Sequence, residues 1–140
     1  MKRSEIVGAA RSWAGVPWRH QGRTRSGIDC VGLVLRVAET VGLDVSGVDI
    51  PDYGREPDGR LFGLFARNLT RITQEHARPG SVIVFARGTS ACHAGIVLDD
   101  VGLYLHASVL SAKVTFGSLR KPLKSYRAIA AFDFPGVIDG

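Results

Sequence analysis

The sequence predicts an α+β fold in which N-terminal helices pack on an antiparallel β-sheet. Two observations predict it. Apolar residues recur at helical spacing as far as Leu69, and beyond Ala77-Arg78-Pro79-Gly80 the pattern changes to short alternating runs. Helices followed by strands indicate helices gathered on one side of an antiparallel sheet. The 140 residues have the length of one domain, so residues 1–140 are read as a single unit around one core.

The first helix is expected from an N-cap at Ser4 through Ile6, Ala9, Ala10 and Trp13, ended by Gly15 and Pro17. Val16 to Gly27, with Gly22 and Gly27 among polar and basic residues, reads as an irregular loop. From Cys30 to Val41, apolar residues cover nearly the whole helical circumference, which predicts a buried central helix stopped at Gly42. Val45 to Gly59, carrying Pro51 and Pro57, reads as a connecting loop, after which Asp58 caps a short helix through Leu61, Leu64, Phe65 and Leu69. Strands are expected at Ser81–Ala86, Ala91–Leu98, Gly102–Ala107, Lys113–Phe116 and Tyr126–Phe134.

Hydrophobic residues make up 45 % of the chain and charged residues 22 %, the balance of an ordinary globule. No apolar run approaches the ~20 residues that span a bilayer. Glu5, Arg11 and Arg19 interrupt the N-terminal segment, so no signal peptide is expected. The net charge of +5 favours anionic partners. Specific nucleic-acid binding is not expected, because the basic residues are dispersed and no recognition motif accompanies them. Two cysteines are too few for a disulfide-stapled scaffold, and Cys92-His93 lacks the spacing of a zinc site, so no metal or cofactor is predicted.

Cys30 follows a potential N-cap, Asp29, and begins the buried helix, which places its sulfur among unpaired N–H groups. The helix dipole is worth at most ~2 kcal/mol, whereas an imidazolium ~4 Å away supplies ~4 kcal/mol at an effective dielectric near 20. A histidine must therefore do most of any thiolate activation. A free cysteine here is either a nucleophile or a small buried core residue, and position alone does not separate the two.

The hairpin that follows makes a sharper test. If Leu98 faces Leu103 around the loop 99–102, then Ile96 faces Leu105 and those four side chains form an apolar side. His93, Gly95, Val97, Tyr104 and His106 fall on the other side, and His106 becomes a diagonal neighbour of His93. A one-residue slip would bury His106 on the apolar side. One such histidine alone would be an ordinary packed residue; two on one face suggest a base and its orienter. Cys92 is expected to point away from His93 as an inert packing residue, and His20 and His76 to be solvated loop residues.

Gly15-Val16-Pro17-Trp18, Gly27-Ile28-Asp29-Cys30-Val31-Gly32-Leu33-Val34, Arg78-Pro79-Gly80-Ser81-Val82-Ile83-Val84-Phe85, His93-Ala94-Gly95-Ile96-Val97 and Leu105-His106-Ala107 together resemble the NlpC/P60 cell-wall peptidases. Each piece alone is weak; five in this order are specific. His20-Gln21-Gly22-Arg23 is most similar to the short peptidases of phage tails and gene-transfer particles. The resemblance departs at Trp18, where the family usually has Tyr, at Val31, commonly Ser, and at Ser81, usually Asp.

The resemblance implies a papain-like fold and a cysteine peptidase that hydrolyses peptidoglycan stem peptides, with Cys30 as nucleophile, His93 as base and acid, and His106 as orienter. Trp18, Arg19, Arg23 and Asp29 are the implied substrate-binding set. The arginines, with Arg25, would pair with stem-peptide carboxylates unless they simply form a solvated loop. A phage-like particle would carry the protein from the bacterial cytoplasm to the cell wall, docked on a tail or baseplate protein. The competing reading is a structural tail component that binds the wall or neighbouring subunits without hydrolysis. Acyl transfer to an amine would use the same residues.

Overall fold

The computed structural model describes residues 1–50, 52–121 and 125–140. Pro51, read above as part of the connecting loop, lies outside them. Three helices, α1 (Arg3–Arg11), α2 (Cys30–Thr40) and α3 (Arg60–Asn68), accompany a six-stranded sheet. A two-residue hairpin, β1 (Arg23–Thr24) and β2 (Gly27–Ile28), interrupts the segment expected to be irregular. The sheet comprises β3 (Thr70–Ile72), β4 (Val82–Arg87), β5 (Ser90–Val97), β6 (Leu103–Ser108), β7 (Lys113–Ser118) and β8 (Arg127–Asp133). Its order is β3-β8-β4-β5-β6-β7, antiparallel throughout.

The five expected strands all form, within two residues of their predicted ends; β3 was not foreseen, because its pairing with β8 is a contact between residues some 60 apart in sequence. Two helix starts differ from expectation. The N-cap of α1 is Lys2 and not Ser4: the Arg3 and Ser4 N–H groups donate to Ile138 and Gly140 carbonyls at 3.1 and 2.8 Å, so the C-terminal backbone supplies the cap. The N-cap of α3 is Gly59, with Asp58 accepting from the Arg60 N–H one position earlier than expected. Among the described residues no helix is long and apolar enough to cross a membrane.

One face of the sheet, through Val82, Val84, Ala94, Ile96, Leu105 and Phe132, packs against Leu33, Val34 and Val37 of α2 in the main core. The other face carries a smaller cluster of Ile83, Phe85, Val97, Tyr104 and Ala131. Helix α2 ends as expected before Gly42, whose φ of +100° suits glycine alone. In the β5–β6 hairpin, Ile96 faces Leu105 and Val97 faces Tyr104, while the Leu98 N–H donates to the Leu103 carbonyl at 2.8 Å. This is the predicted register, and it puts His93 and His106 on one face. Bulges flank Phe85 on both sides, against β5 and against β8, so the sheet bends beside His93.

Candidate active site

Asp29 fixes the start of α2. Its backbone is extended, and its Oδ1 accepts the Gly32 N–H at 2.9 Å and the Arg23 guanidinium at 2.8 Å. Its Oδ2 accepts the Gln21 N–H at 2.9 Å and the Tyr53 hydroxyl. A carboxylate only 5 % exposed is tolerated here because four donors replace its water. Gly32 permits the arrangement, since a Cβ there would lie 2.3 Å from the Gly22 carbonyl oxygen. The loop before α2 is thereby clamped onto the helix start, and Cys30 is its first residue.

Backbone N–H groups of Val31 and Ala94 favour the charged form of Cys30. Burial and the Asp29 carboxylate nonetheless push the thiol up to about 12. Desolvation and a neighbouring negative charge outweigh the N–H groups at the helix start, so activation falls to the histidine, as the small size of the dipole effect implies. Burial, then His106, pulls His93 down to about 3, and burial also lowers His106. Each of these shifts favours the neutral form: the thiol for Cys30 and the imidazole for His93 and His106.

His93 Nε2 and His106 Nδ1 are 2.7 Å apart, with ring centroids separated by 5.0 Å. Phe85 and Tyr126 stack beside His93, and Tyr104 packs edge-on to His106. These contacts fix both rings. With Nε2 engaged, Nδ1 is the His93 nitrogen left for a reacting partner. Cys30 packs with the helix-side core, whereas His93 stacks with Phe85 on the opposite face. At the bulge both faces open onto one cleft of about 270 Å³, lined by Cys30, Cys92 and His93. Cys92 is the bulged residue and lines this cleft instead of packing into the apolar side, because the extra residue breaks the strand alternation. Burial raises its pKa, so it stays a thiol.

The residues expected to bind substrate divide. Trp18 and Asp29 line the cleft. Arg19 is exposed and outside the lining. Arg23 is turned inward, its guanidinium bonded to Asp29, Asp49 and the Tyr53 hydroxyl, so no N–H fork remains for a substrate carboxylate. Arg25 lies 3.7 Å over the Trp13 ring and donates to the Ser12 carbonyl. His20, expected to be solvated, lines the cleft and bonds the Tyr53 carbonyl at 3.0 Å; His76 is exposed against Thr73. Tyr53 and Arg55 also line the cleft. Sequence reasoning passed over both as parts of a connecting loop; the available signal was an aromatic and a cation two residues apart among glycines and prolines.

The pKa directions carry a stability consequence. An unfolded histidine takes a proton near 6.5, while folded His93 refuses it until about 3. The unfolded state therefore binds more protons in between, and stability falls as pH drops below about 6.5, by up to ~1.4 kcal/mol per pH unit. His106 acts in the same direction. Thermal denaturation is expected to show a lower Tm at pH 4.5 than at pH 7, with the dependence flattened in His93→Gln. An unaltered slope in that variant would contradict the assignment.

A model of the NlpC/P60 family matches residues 15–132. The murein DD-endopeptidase MepS/murein LD-carboxypeptidase of Escherichia coli (strain K12) is 27 % identical over 122 residues, covering 86 % of this chain and 56 % of that protein. The probable endopeptidase p60 of Listeria grayi is 28 % identical over 95 residues, covering 68 % of this chain and 16 % of that protein. The chain thus spans little more than half of one relative and a smaller part of the other. The NlpC/p60 domain of the peptidoglycan hydrolase SagA superposes with a TM-score of 0.71 at 23 % identity, covering 96 % of this chain and 100 % of that one. The α+β architecture described above is therefore the fold of that domain.

Proposed function

The chain belongs to the NlpC/P60 family, and from that premise we propose that it is a cysteine endopeptidase acting on peptidoglycan stem peptides. Cys30 is the nucleophile, His93 the general base and acid, and His106 the residue that orients His93. The observation that carries this reading is the 2.7 Å contact between His93 Nε2 and His106 Nδ1, in a cleft that His93 shares with Cys30. The relatives' names supply the substrate class: murein for one, peptidoglycan for the other.

The neutral resting pair defines the order of events. For His93 Nδ1 to accept a proton, its own proton must sit on Nε2 and be donated to His106 Nδ1. As the sulfur attacks the carbonyl, the thiol proton moves to Nδ1, and the imidazolium forms against His106. The Cys30 N–H, at the first position of α2, has no acceptor within the helix and is available to the oxyanion. Collapse returns the proton to the leaving amine and leaves a thioester on Cys30. Water, deprotonated by His93, then releases the peptide acid and restores the thiol.

The similarity of His20-Gln21-Gly22-Arg23 to the phage-tail peptidases supports a role in wall penetration by a phage-like particle, with the protein docked on a tail component. Activity on intact sacculi that sediments with such particles is the expected result; full activity from free monomer alone would contradict it. Mass spectrometry of purified muropeptides after incubation tests the chemistry. Hydrolysis yields fragments whose masses sum to the parent plus one water. Fragments joined to an added amine would identify acyl transfer, and unchanged muropeptides would remove the peptidase reading.

A further inference from the structure

We propose that Arg55, held over Trp18 at the mouth of the cleft, anchors a carboxylate of the substrate peptide. The proposal rests on the stem-peptide reading above and assigns a residue to its recognition. The Arg55 guanidinium lies 5.5 Å from the Trp18 ring centroid, and both residues line the cleft that holds Cys30 and His93. The other arginines around this site are committed elsewhere: Arg23 to Asp29 and Asp49, and Arg60 to Asp58 at 2.8 Å. The described carboxylates that line the cleft, Asp29, Glu56 and Asp58, make no ion pair with Arg55: Asp29 pairs with Arg23 and Asp58 with Arg60. Among the described residues Arg55 is therefore a cleft-lining cation with no carboxylate in ion-pair contact, and an anionic ligand entering the cleft meets it.

Its position is set by built structure. The Trp18 backbone N–H donates to the Ala112 carbonyl at 2.9 Å, which anchors the residue that carries the platform. Two residues before Arg55, the Tyr53 carbonyl accepts His20 Nε2 at 3.0 Å and Gln21 Nε2 at 2.6 Å, while the Tyr53 hydroxyl bonds Asp29 and Arg23. The network that caps the nucleophile's helix thus also fixes the root of the Arg55 loop. A guanidinium stacked on an indole keeps its planar N–H edge free, the arrangement suited to a bidentate carboxylate. This gives Trp18 a role that a hydroxyl is not needed for: a flat support for the cation.

Calorimetric binding to Cys30→Ala protein tests this without turnover, using a synthetic stem peptide with free carboxylates and its fully amidated counterpart. The acid is expected to bind about tenfold more tightly than the amide, the size of one partly exposed charge-assisted pair. Arg55→Gln should abolish that preference, and Arg55→Lys should restore part of it. A preference unaltered in Arg55→Gln, or an equal loss for both peptides, overturns the assignment. Cleavage of the same peptides by the unsubstituted protein separates the two claims. Acid preference without cleavage sinks the hydrolase reading and keeps the anchor, whereas cleavage without preference sinks the anchor alone.

Discussion

Cys30→Ala protein is expected to fold normally and to cleave muropeptides some 10⁴- to 10⁶-fold more slowly, a loss in turnover and not in binding. The fold survives because Asp29, Gly32 and the Arg23 network set the start of α2 without the sulfur. Deleting one sulfur atom at a cleft wall leaves little new cavity, so about 1 kcal/mol of stability is at stake. On the proposed mechanism only residual turnover is left, since no other group at the helix start would form the acyl intermediate. Cys92 lines the same cleft but lies on β5, away from the α2 N–H groups, and does not substitute. Circular dichroism with a steady-state assay checks both halves; a folded Cys30→Ala protein with ordinary turnover contradicts the mechanism.

His93→Ala is expected to lose about as much turnover as Cys30→Ala, because a thiol pushed up to about 12 cannot ionise unaided at neutral pH. The double variant should be no slower than either single one, since both residues serve one step. His106→Ala should lose less, on the order of 10²-fold, because the base remains and only its tautomer and orientation are released. His106→Asn, which keeps an acceptor, should recover part of that loss. Either histidine-to-alanine variant also leaves a nitrogen of the other ring without its partner, at about 1–3 kcal/mol of stability. Purely additive rate losses in the Cys30/His93 double variant would mean that the two act independently.

What was legible in the sequence was governed by local periodicity. The alternation of Ile96, Leu98, Leu103 and Leu105 admits one hairpin register that puts all four on the core side, and this register brings His93 to His106. Asp29 as an N-cap and Gly42 as a stop bound the buried helix in the same way. The remainder depends on contacts distant in sequence. Arg23 resembled a free cation ahead of the nucleophile, yet its partners Asp49 and Tyr53 come from a loop with no periodic signal. The start of α1 is decided by carbonyls at the other end of the chain. The desolvation that raises the Cys30 thiol likewise comes from packing and not from local sequence.

The most direct measurement is to quench a reaction with muropeptide in acid within milliseconds and locate the acyl group by mass spectrometry. Trypsin places Cys30 in peptide 26–36 and Cys92 in peptide 88–113, so the two thiols are read separately. The mechanism predicts a peptidyl thioester on peptide 26–36 that is absent from peptide 88–113 and accumulates with a substrate analogue whose thioester is slow to hydrolyse. Product formation with peptide 26–36 never modified, or an acyl group on peptide 88–113, would contradict it.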